Sequence, residues 1–392
     1  MAHDLVIVGG GLAGASLGTC MAQSGASVLI LERTEQFRDR VRGEGIHPWG
    51  VPEIRALGIY RKLIDTCALE IPYRTDYFGS VLARNRDLVA TTLHHSPAVD
   101  FCHSEMQEVL LNAAREAGVD VRRGVTVTKA TGGTAPEVTA SINGSQQRFP
   151  ARLVVGADGR QSVVRHDAAF EVSRDPKWLR ISGALLEGMR APDNAVSIFA
   201  APNFGHVSFV VPIGKSRTRA YFTTGRRDGH RSLSGPNDLP NFRDYCAQTG
   251  VPLEWFDEAS LVGPLATFEG ADVWVDHPYK DGVALIGDAA AANDPCWGCG
   301  LSLTLRDVRV LRDELLASDD WNAACDRYAM EHDRYYGALR RITSWLRVFR
   351  YTVGPEGDEL RKYAMPGNAP DLWGLGPDNP SDEEARIRFL GQ

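Results

Sequence analysis

Residues 3–33, HDLVIVGGGLAGASLGTCMAQSGASVLILER, restrict the possible folds more than any other stretch of the chain. Residues 5–8 are a short apolar, β-branched run, too brief for a helix and closed by glycine, which predicts a buried strand. Gly9, Gly10 and Gly11 then let the backbone turn sharply and approach a ligand that a side chain would block. Apolar and small residues at helical spacing over 12–24 predict a helix, with Gly14 on the face packed closest to the strand. Residues 28–31 repeat the β-branched pattern and end in Glu32, about 20 residues past the glycines, where a carboxylate can accept from a ribose hydroxyl. The free N–H groups and positive dipole end of the helix suit a pyrophosphate. A glycine-rich turn alone is common. Strand, glycines, helix, second strand and terminal acid in this order define a dinucleotide-binding unit.

With 392 residues the chain exceeds one ordinary core, and two domains are expected. Its 43% hydrophobic and 24% charged content is that of a soluble globular protein. A net charge of −7 gives no electrostatic reason to expect nucleic acid or an anionic membrane as partner. No apolar run reaches the roughly 18 residues that suggest a membrane span. No basic segment precedes the first apolar run, so it does not read as a signal peptide. Seven cysteines, an odd number without framework spacing, fit a reducing cytoplasm. Cys296 and Cys299 have redox-type spacing, but no second pair completes a metal site, and they read as plain thiols in a glycine-rich loop.

Past Glu32 comes an arginine-rich connection (Arg33, Arg38, Arg40, Arg42) leading into Gly43-Glu44-Gly45-Ile46-His47-Pro48. It leaves directly from the nucleotide unit, so a guanidinium facing phosphate or flavin is expected. Residues 51–57 read as helix, and 73–99 as short aromatic strands outside the parallel unit. An amphipathic helix over 104–117 runs into strands at 119–121, 125–128, 138–142 and 152–155, the last ending in Gly156-Ala157-Asp158-Gly159-Arg160. Segments 179–186, 196–200, 207–213 and 217–224 alternate, with Gly, Pro or Asn in their turns, and predict an antiparallel sheet. A buried strand at 283–286 ends in Gly287-Asp288, and a helix opens near Gly300 and runs to 316. Residues 321–351 are helical, and the proline-bearing remainder is expected to be irregular.

Three turns, at 9–14, 156–160 and 287–302, thus sit at the carboxyl ends of predicted strands, which share one crevice in an open α/β sheet. In this triplet the chain resembles the FAD-dependent monooxygenases of the para-hydroxybenzoate hydroxylase type. Their pattern is GxGxxG, then Asp-Gly, then Gly-Asp with a following Pro and glycines. The resemblance covers nearly the whole chain. It implies an α/β fold, a Rossmann-like FAD-binding domain (1–72, 100–176, 275–345) with an inserted antiparallel-sheet substrate domain (73–99, 177–274) and a C-terminal helix and irregular tail (346–392). It implies that Gly9, Gly11 and Gly14 hold the FAD pyrophosphate and Glu32 the adenosine ribose. Asp158 would serve both FAD and the nicotinamide donor, Asp288 the ribityl chain, Pro295 the flavin ring, and the amides of Leu301 and Ser302 the flavin pyrimidine. Leu12, Ala13, Arg33, Arg42, His103, Val127, Gly287, Gly298 and Gly300 complete the cofactor positions. The chain departs from the family at Ala291, where His is frequent, at Ser302, where Asn is common, and at His103, where Arg or Gln opens the helix.

The activity implied is reduction of non-covalent FAD by NADH or NADPH, oxygen addition at the flavin C4a as a hydroperoxide, and hydroxylation of an aromatic or polycyclic small molecule. Arg42, His47 and Pro295 are the catalytic candidates. An imidazole titrating near neutrality could deprotonate a phenol, although His47 could equally be satisfied by backbone beside Pro48. Tyr221 and Phe209 read either as pocket lining or as sheet core. The same superfamily holds flavin-dependent halogenases and isoprenoid reductases. The halogenase WxWxIP signature should fall at 207–212, which reads VSFVVP without either tryptophan. A flavin reductase or dehydrogenase is therefore the main alternative, ahead of a flavin-bound sensor.

Overall fold

The computed structural model describes residues 3–41, 43–225, 229–363 and 376–378. One eight-stranded sheet has six strands in the order Tyr279–Lys280, Val283–Leu285, Ser145–Gly156, His3–Val8, Val28–Glu32, Asp120–Arg123, all but the first pairing in parallel, and Glu137–Ile142 and Thr126–Thr131 branch from Ser145–Gly156. The period of two in His3–Val8 divides its side chains between two cores. Leu5 and Ile7 pack with the helix Leu12–Gln23, while Val6 and Val8 meet Leu29, Leu31 and Val154 on the other face. A strand covered on both sides is continuously apolar, and each such fully buried aliphatic contributes about 1.5–3 kcal/mol.

Ser145–Gly156 is far longer than the expected 152–155. Its first half is the arm of a hairpin with Glu137–Ile142, and Ile142 pairs with Ser145 across Asn143 (φ 51°) and Gly144 (φ 79°). That two-residue turn has the twist a hairpin requires. The exposed polar residues 145–148 hide the strand from a hydrophobicity reading.

A seven-stranded sheet follows the order Ser260–Gly270, Leu179–Glu187, Arg217–Gly225, His206–Pro212, Ala195–Ala200, Tyr73–Phe78, Val81–Asp87. The four segments expected to be antiparallel are so, but the whole sheet is not. Tyr73–Phe78 arrives from an earlier part of the chain and pairs in parallel with Ala195–Ala200. The outer face packs Phe199, Ala220 and Phe222 against Phe242 and Cys246 of the helix Leu239–Gln248. The inner face sets Ile181, Val196, Ile198 and Val207 in one core with Cys296, Trp297 and Tyr351. A small sheet of Gly45–Ile46, Ala98–Phe101 and Ala68–Ile71 lies between the two.

Helices Gly300–Ala317 and Trp321–Tyr351 pack on the first sheet's side, and no helix among the described residues is long and apolar enough to cross a membrane. The tail is less irregular than its prolines suggest. Pro355 opens a helix to Tyr363, at the position where a missing N–H costs nothing. Asp378 then accepts both Arg306 Nη1 and Nη2 at 3.0 and 2.8 Å. Residues 364–375 and 379–392 lie outside the described residues.

Candidate cofactor and substrate site

The three turns meet as the shared crevice requires. Gly9 N donates to Leu31 O at 2.9 Å, Ala157 N to Val8 O at 2.8 Å and Ile286 N to Gly156 O at 3.0 Å, so the three strand ends stand side by side. A Cβ on Gly9, whose φ is +103°, would overlap the Ala157 carbonyl and lie 3.0 Å from Asp158 Cα. One on Gly14 would fall on Gly9 O and reach Ile7 Cγ2 at 3.0 Å. Both glycines are demanded by the protein itself. Gly11 is different. Its φ of −74° is open to any residue, and only Gln107 Nε2, at 3.4 Å, is near a hypothetical Cβ. Gly300, first residue of its helix, likewise has nothing within 4 Å. These two open glycines, each at a helix N-terminus with unspent N–H groups, fit an anionic dinucleotide.

Gly9, Gly11, Glu32, Arg33, His103, Val127 and Asp158 line one cavity of about 470 Å³, together with Arg38, Arg40 and Arg160. Glu32 is buried, and its carboxylate accepts Gly10 N and Thr34 N, each at 2.7 Å. Each oxygen keeps a further lone pair. Asp158 accepts Ser162 Oγ at 2.5 Å, Val163 N at 2.7 Å and Val164 N at 3.2 Å, so it caps the helix Val163–Asp167. Burial raises its pKa against those hydrogen bonds. His103 is held through Nδ1 to Gly43 O at 2.9 Å. Leu12 and Ala13 are buried in the first helical turn, and the Gly287 position abuts Ala13 Cβ at 3.5 Å. Asp288 meets Arg160 Nε at 3.4 Å, joining the second and third turns.

His47, Pro295, Gly298, Gly300, Leu301 and Ser302 form a second group outside that cavity's lining. Ser302 Oγ accepts His47 N at 3.0 Å, Leu301 Cδ1 lies 3.8 Å from the Gly43 Cβ position, and the Gly298 Cβ position is 3.7 Å from His47 Nε2. Pro295 presses on Gly270 at the edge of the seven-stranded sheet, at 2.7 Å from its Cβ position. Phe209 and Tyr221 are cross-strand partners, both half-buried, on the inner face of that sheet. Arg42 lies outside the described residues.

The expectation that His47 titrates near neutrality is corrected. Burial, and then the guanidinium charges of Arg74 and Arg350, push its imidazole down to about 3. It stays neutral over the physiological range. Cys296 and Cys299 are buried free thiols, both pushed upward by burial, and are therefore poor nucleophiles.

Several polar groups escaped the sequence reading. Arg165 Nη1 donates to Ala289 O at 2.9 Å and Nη2 to Arg160 O at 2.6 Å, tying the second turn to the third. Asp307, fully buried, accepts Gly287 N at 2.7 Å, and Trp178 Nε1 donates to Asp294 Oδ2 at 2.7 Å. Glu44, fully buried as well, accepts Arg219 Nε at 3.0 Å and the Tyr221 hydroxyl, and Arg219 Nη2 also donates to Asp39 Oδ1 at 2.7 Å. Only the charged residues in otherwise apolar segments could have hinted at these contacts.

The fold and crevice define an FAD-dependent oxidoreductase of the flavin monooxygenase class. The FAD binding domain family matches residues 2–324, and the chain belongs to that family. It is 24% identical over 374 residues to the uncharacterized aromatic compound monooxygenase YhjG of Bacillus subtilis, covering 90% of this chain and 70% of that protein. It is 26% identical over 384 residues to the menaquinone reductase of Mycobacterium tuberculosis, covering 90% and 86%. Of three other relatives, the FAD-dependent monooxygenase terD of Aspergillus terreus, squalene epoxidase 3 of Arabidopsis thaliana and the rifampicin monooxygenase of Rhodococcus hoagii, the chain spans only 52% to 62% of their length. The flavin-dependent brominase Bmp2 shares the fold, with a TM-score of 0.75 at 18% identity, over 100% of this chain and 94% of that one.

Proposed function

We propose that the protein is an NAD(P)H-consuming monooxygenase that hydroxylates an aromatic or polycyclic small molecule. The supporting observation is the half-buried Phe209–Tyr221 pair on a sheet face that otherwise turns buried aliphatics toward the Pro295–Ser302 segment. Two half-buried aromatic rings in the middle of a dry face offer stacking to a flat substrate and exclude water from it. Bound FAD would supply the electron transfer and oxygen activation. Around it, Gly11 and the N–H groups of the Leu12–Gln23 helix would hold the pyrophosphate, Glu32 the adenosine ribose, and the Gly300–Ser302 amides the electron-rich end of the ring system. Pro295 would fix its loop by its restricted φ. Of the relatives, YhjG is named for an aromatic compound, which agrees with this reading.

A reductase that never uses oxygen productively is the second reading, favoured by the 86% coverage of the menaquinone reductase. The discriminating experiment follows NADH and NADPH oxidation with a panel of phenols, naphthols and menaquinone, and analyses products by mass. A product one oxygen heavier than its phenol or naphthol is expected. Reduced menaquinone with no oxygenated product would replace the monooxygenase reading with the reductase one.

A further inference from the structure

With His47 held neutral, the proton chemistry of a hydroxylation needs another group. Glu44 stands on the connection between the nucleotide unit and the small sheet, only 2% exposed. Strand Arg217–Gly225 supplies Arg219 Nε and the Tyr221 hydroxyl to its two oxygens. Its own connection supplies Asp39, which shares the Arg219 guanidinium at 2.7 Å. Strand Ala98–Phe101 supplies the buried Asp100, whose pKa burial and then the Glu44 charge push well above the usual carboxylate range.

We propose that Glu44 and Tyr221 are the acid–base pair of the reaction site, with Tyr221 as the contact to the substrate and Glu44 as the proton store behind it. This rests on the hydroxylase reading given above. Tyr221 is half-buried and paired with Phe209, whereas Glu44 is sealed, so the tyrosine is the more accessible member of the pair. In the transfer, the substrate O–H bond breaks as an O–H bond forms on the Tyr221 oxygen. The original Tyr221 O–H bond breaks as one forms on the Glu44 carboxylate. One negative charge moves from Glu44 to the substrate oxygen, and no electrons are exchanged.

The charge arrangement makes this step accessible. Two carboxylates share one guanidinium, so protonating Glu44 leaves Arg219 neutralised by Asp39 instead of stranding a buried cation. Burial is the largest influence on Glu44 and outweighs Arg219 and Tyr221, raising its pKa to about 7, where the store fills and empties under ordinary conditions.

The test uses FAD-loaded wild type, Glu44→Gln and Tyr221→Phe. Infrared difference spectra across pH 5.5–8.5 are expected to show a protonated-carboxyl band with a midpoint near neutrality that Glu44→Gln lacks, while Tyr221→Phe keeps it at a shifted midpoint (the range is set about the raised carboxyl). With any phenol or naphthol that the wild type hydroxylates, both variants should lose at least tenfold in kcat/KM, and the same limb of its pH profile, while NAD(P)H still reduces the flavin. No carboxyl band separating wild type from Glu44→Gln overturns the proton store. A wild-type product with unchanged pH profiles in both variants overturns the relay alone. A wild type that oxygenates no phenol or naphthol overturns the hydroxylase reading instead, independently of the infrared result.

Discussion

Replacing Gly11 and Gly14 separately by alanine should divide the demands of the ligand from those of the fold. At Gly11 the backbone is already at φ −74°, ψ −164°, and an added methyl meets only the flexible end of Gln107 at 3.4 Å. Alanine is a poorer N-cap than glycine by somewhat under about 1 kcal/mol. Restricting the unfolded chain returns about 0.4–1 kcal/mol, so the apoprotein should melt within roughly 2 °C of wild type. The methyl nevertheless points into open space where a pyrophosphate must come close to the helix N–H groups. FAD affinity should fall by at least about tenfold, or ~1.4 kcal/mol. At Gly14 the same methyl lands on the Gly9 carbonyl and 3.0 Å from Ile7 Cγ2, both in rigid backbone or core. Overpacking of that kind costs about 1–3 kcal/mol or more, so Gly14→Ala should melt several degrees lower even without FAD. Apoproteins are titrated with FAD by fluorescence quenching and melted by differential scanning fluorimetry. Wild-type FAD affinity in a folded Gly11→Ala protein would falsify the placement of the pyrophosphate.

The remaining expectations concern single residues. His47 has a folded pKa of about 3 against the unperturbed 6.5, so the unfolded state binds the extra proton. Stability from this group is complete above pH 6.5 and falls by up to about 1.4 kcal/mol per pH unit below it, and His47→Asn should flatten the acid side of a urea-unfolding profile by about one proton. An equal acid slope in both proteins would mean the imidazole is charged in the fold. Asp158→Ala removes a carboxylate that accepts three hydrogen bonds at a helix start and should destabilise the apoprotein by about 1–2 kcal/mol, besides slowing flavin reduction more than it weakens FAD binding. An unchanged melting temperature contradicts the capping role, and FAD loss with an unchanged reduction rate contradicts the donor role. Pro295→Gly should loosen the loop against Gly270, leaving NAD(P)H consumption in place while product falls and hydrogen peroxide rises. Unaltered coupling in a peroxide assay would remove Pro295 from the site.

The N-terminal unit is legible in sequence because its requirements are local. The left-handed Gly9 and the crowded Gly14 lie within a dozen residues of the strand and helix they serve, and the acid that follows, Glu32, is fixed by Gly10 and Thr34. Strand Ser145–Gly156 was only half legible, since its hairpin arm is polar and exposed and only the Asn143-Gly144 turn betrays it. The parallel entry of Tyr73–Phe78 into the second sheet depends on a partner more than a hundred residues away, which no local period records. The motif points to Ser302 through its amide, yet its hydroxyl also accepts from His47 N across 255 residues of sequence. The His47 pKa is likewise set by burial and by guanidinium groups at 74 and 350, neither near it in the chain.

A glycine carries two kinds of information, and only the structure separates them. Gly9 and Gly14 would be required in an empty protein, because neighbouring backbone occupies the space a side chain needs. Gly11 and Gly300 answer no such demand, since their conformations or surroundings would admit a side chain. Both stand at helix N-termini at the ends of the crevice, where unspent N–H groups attract negative charge. A reason for glycine at those two positions has to be sought in a ligand that comes close to the backbone. One open helix end lines the Glu32 cavity, and the other belongs to the segment that carries Pro295 and Ser302. A mononucleotide in the Glu32 cavity would account for Gly11, whereas a ligand that also reaches the Gly300 end would account for both.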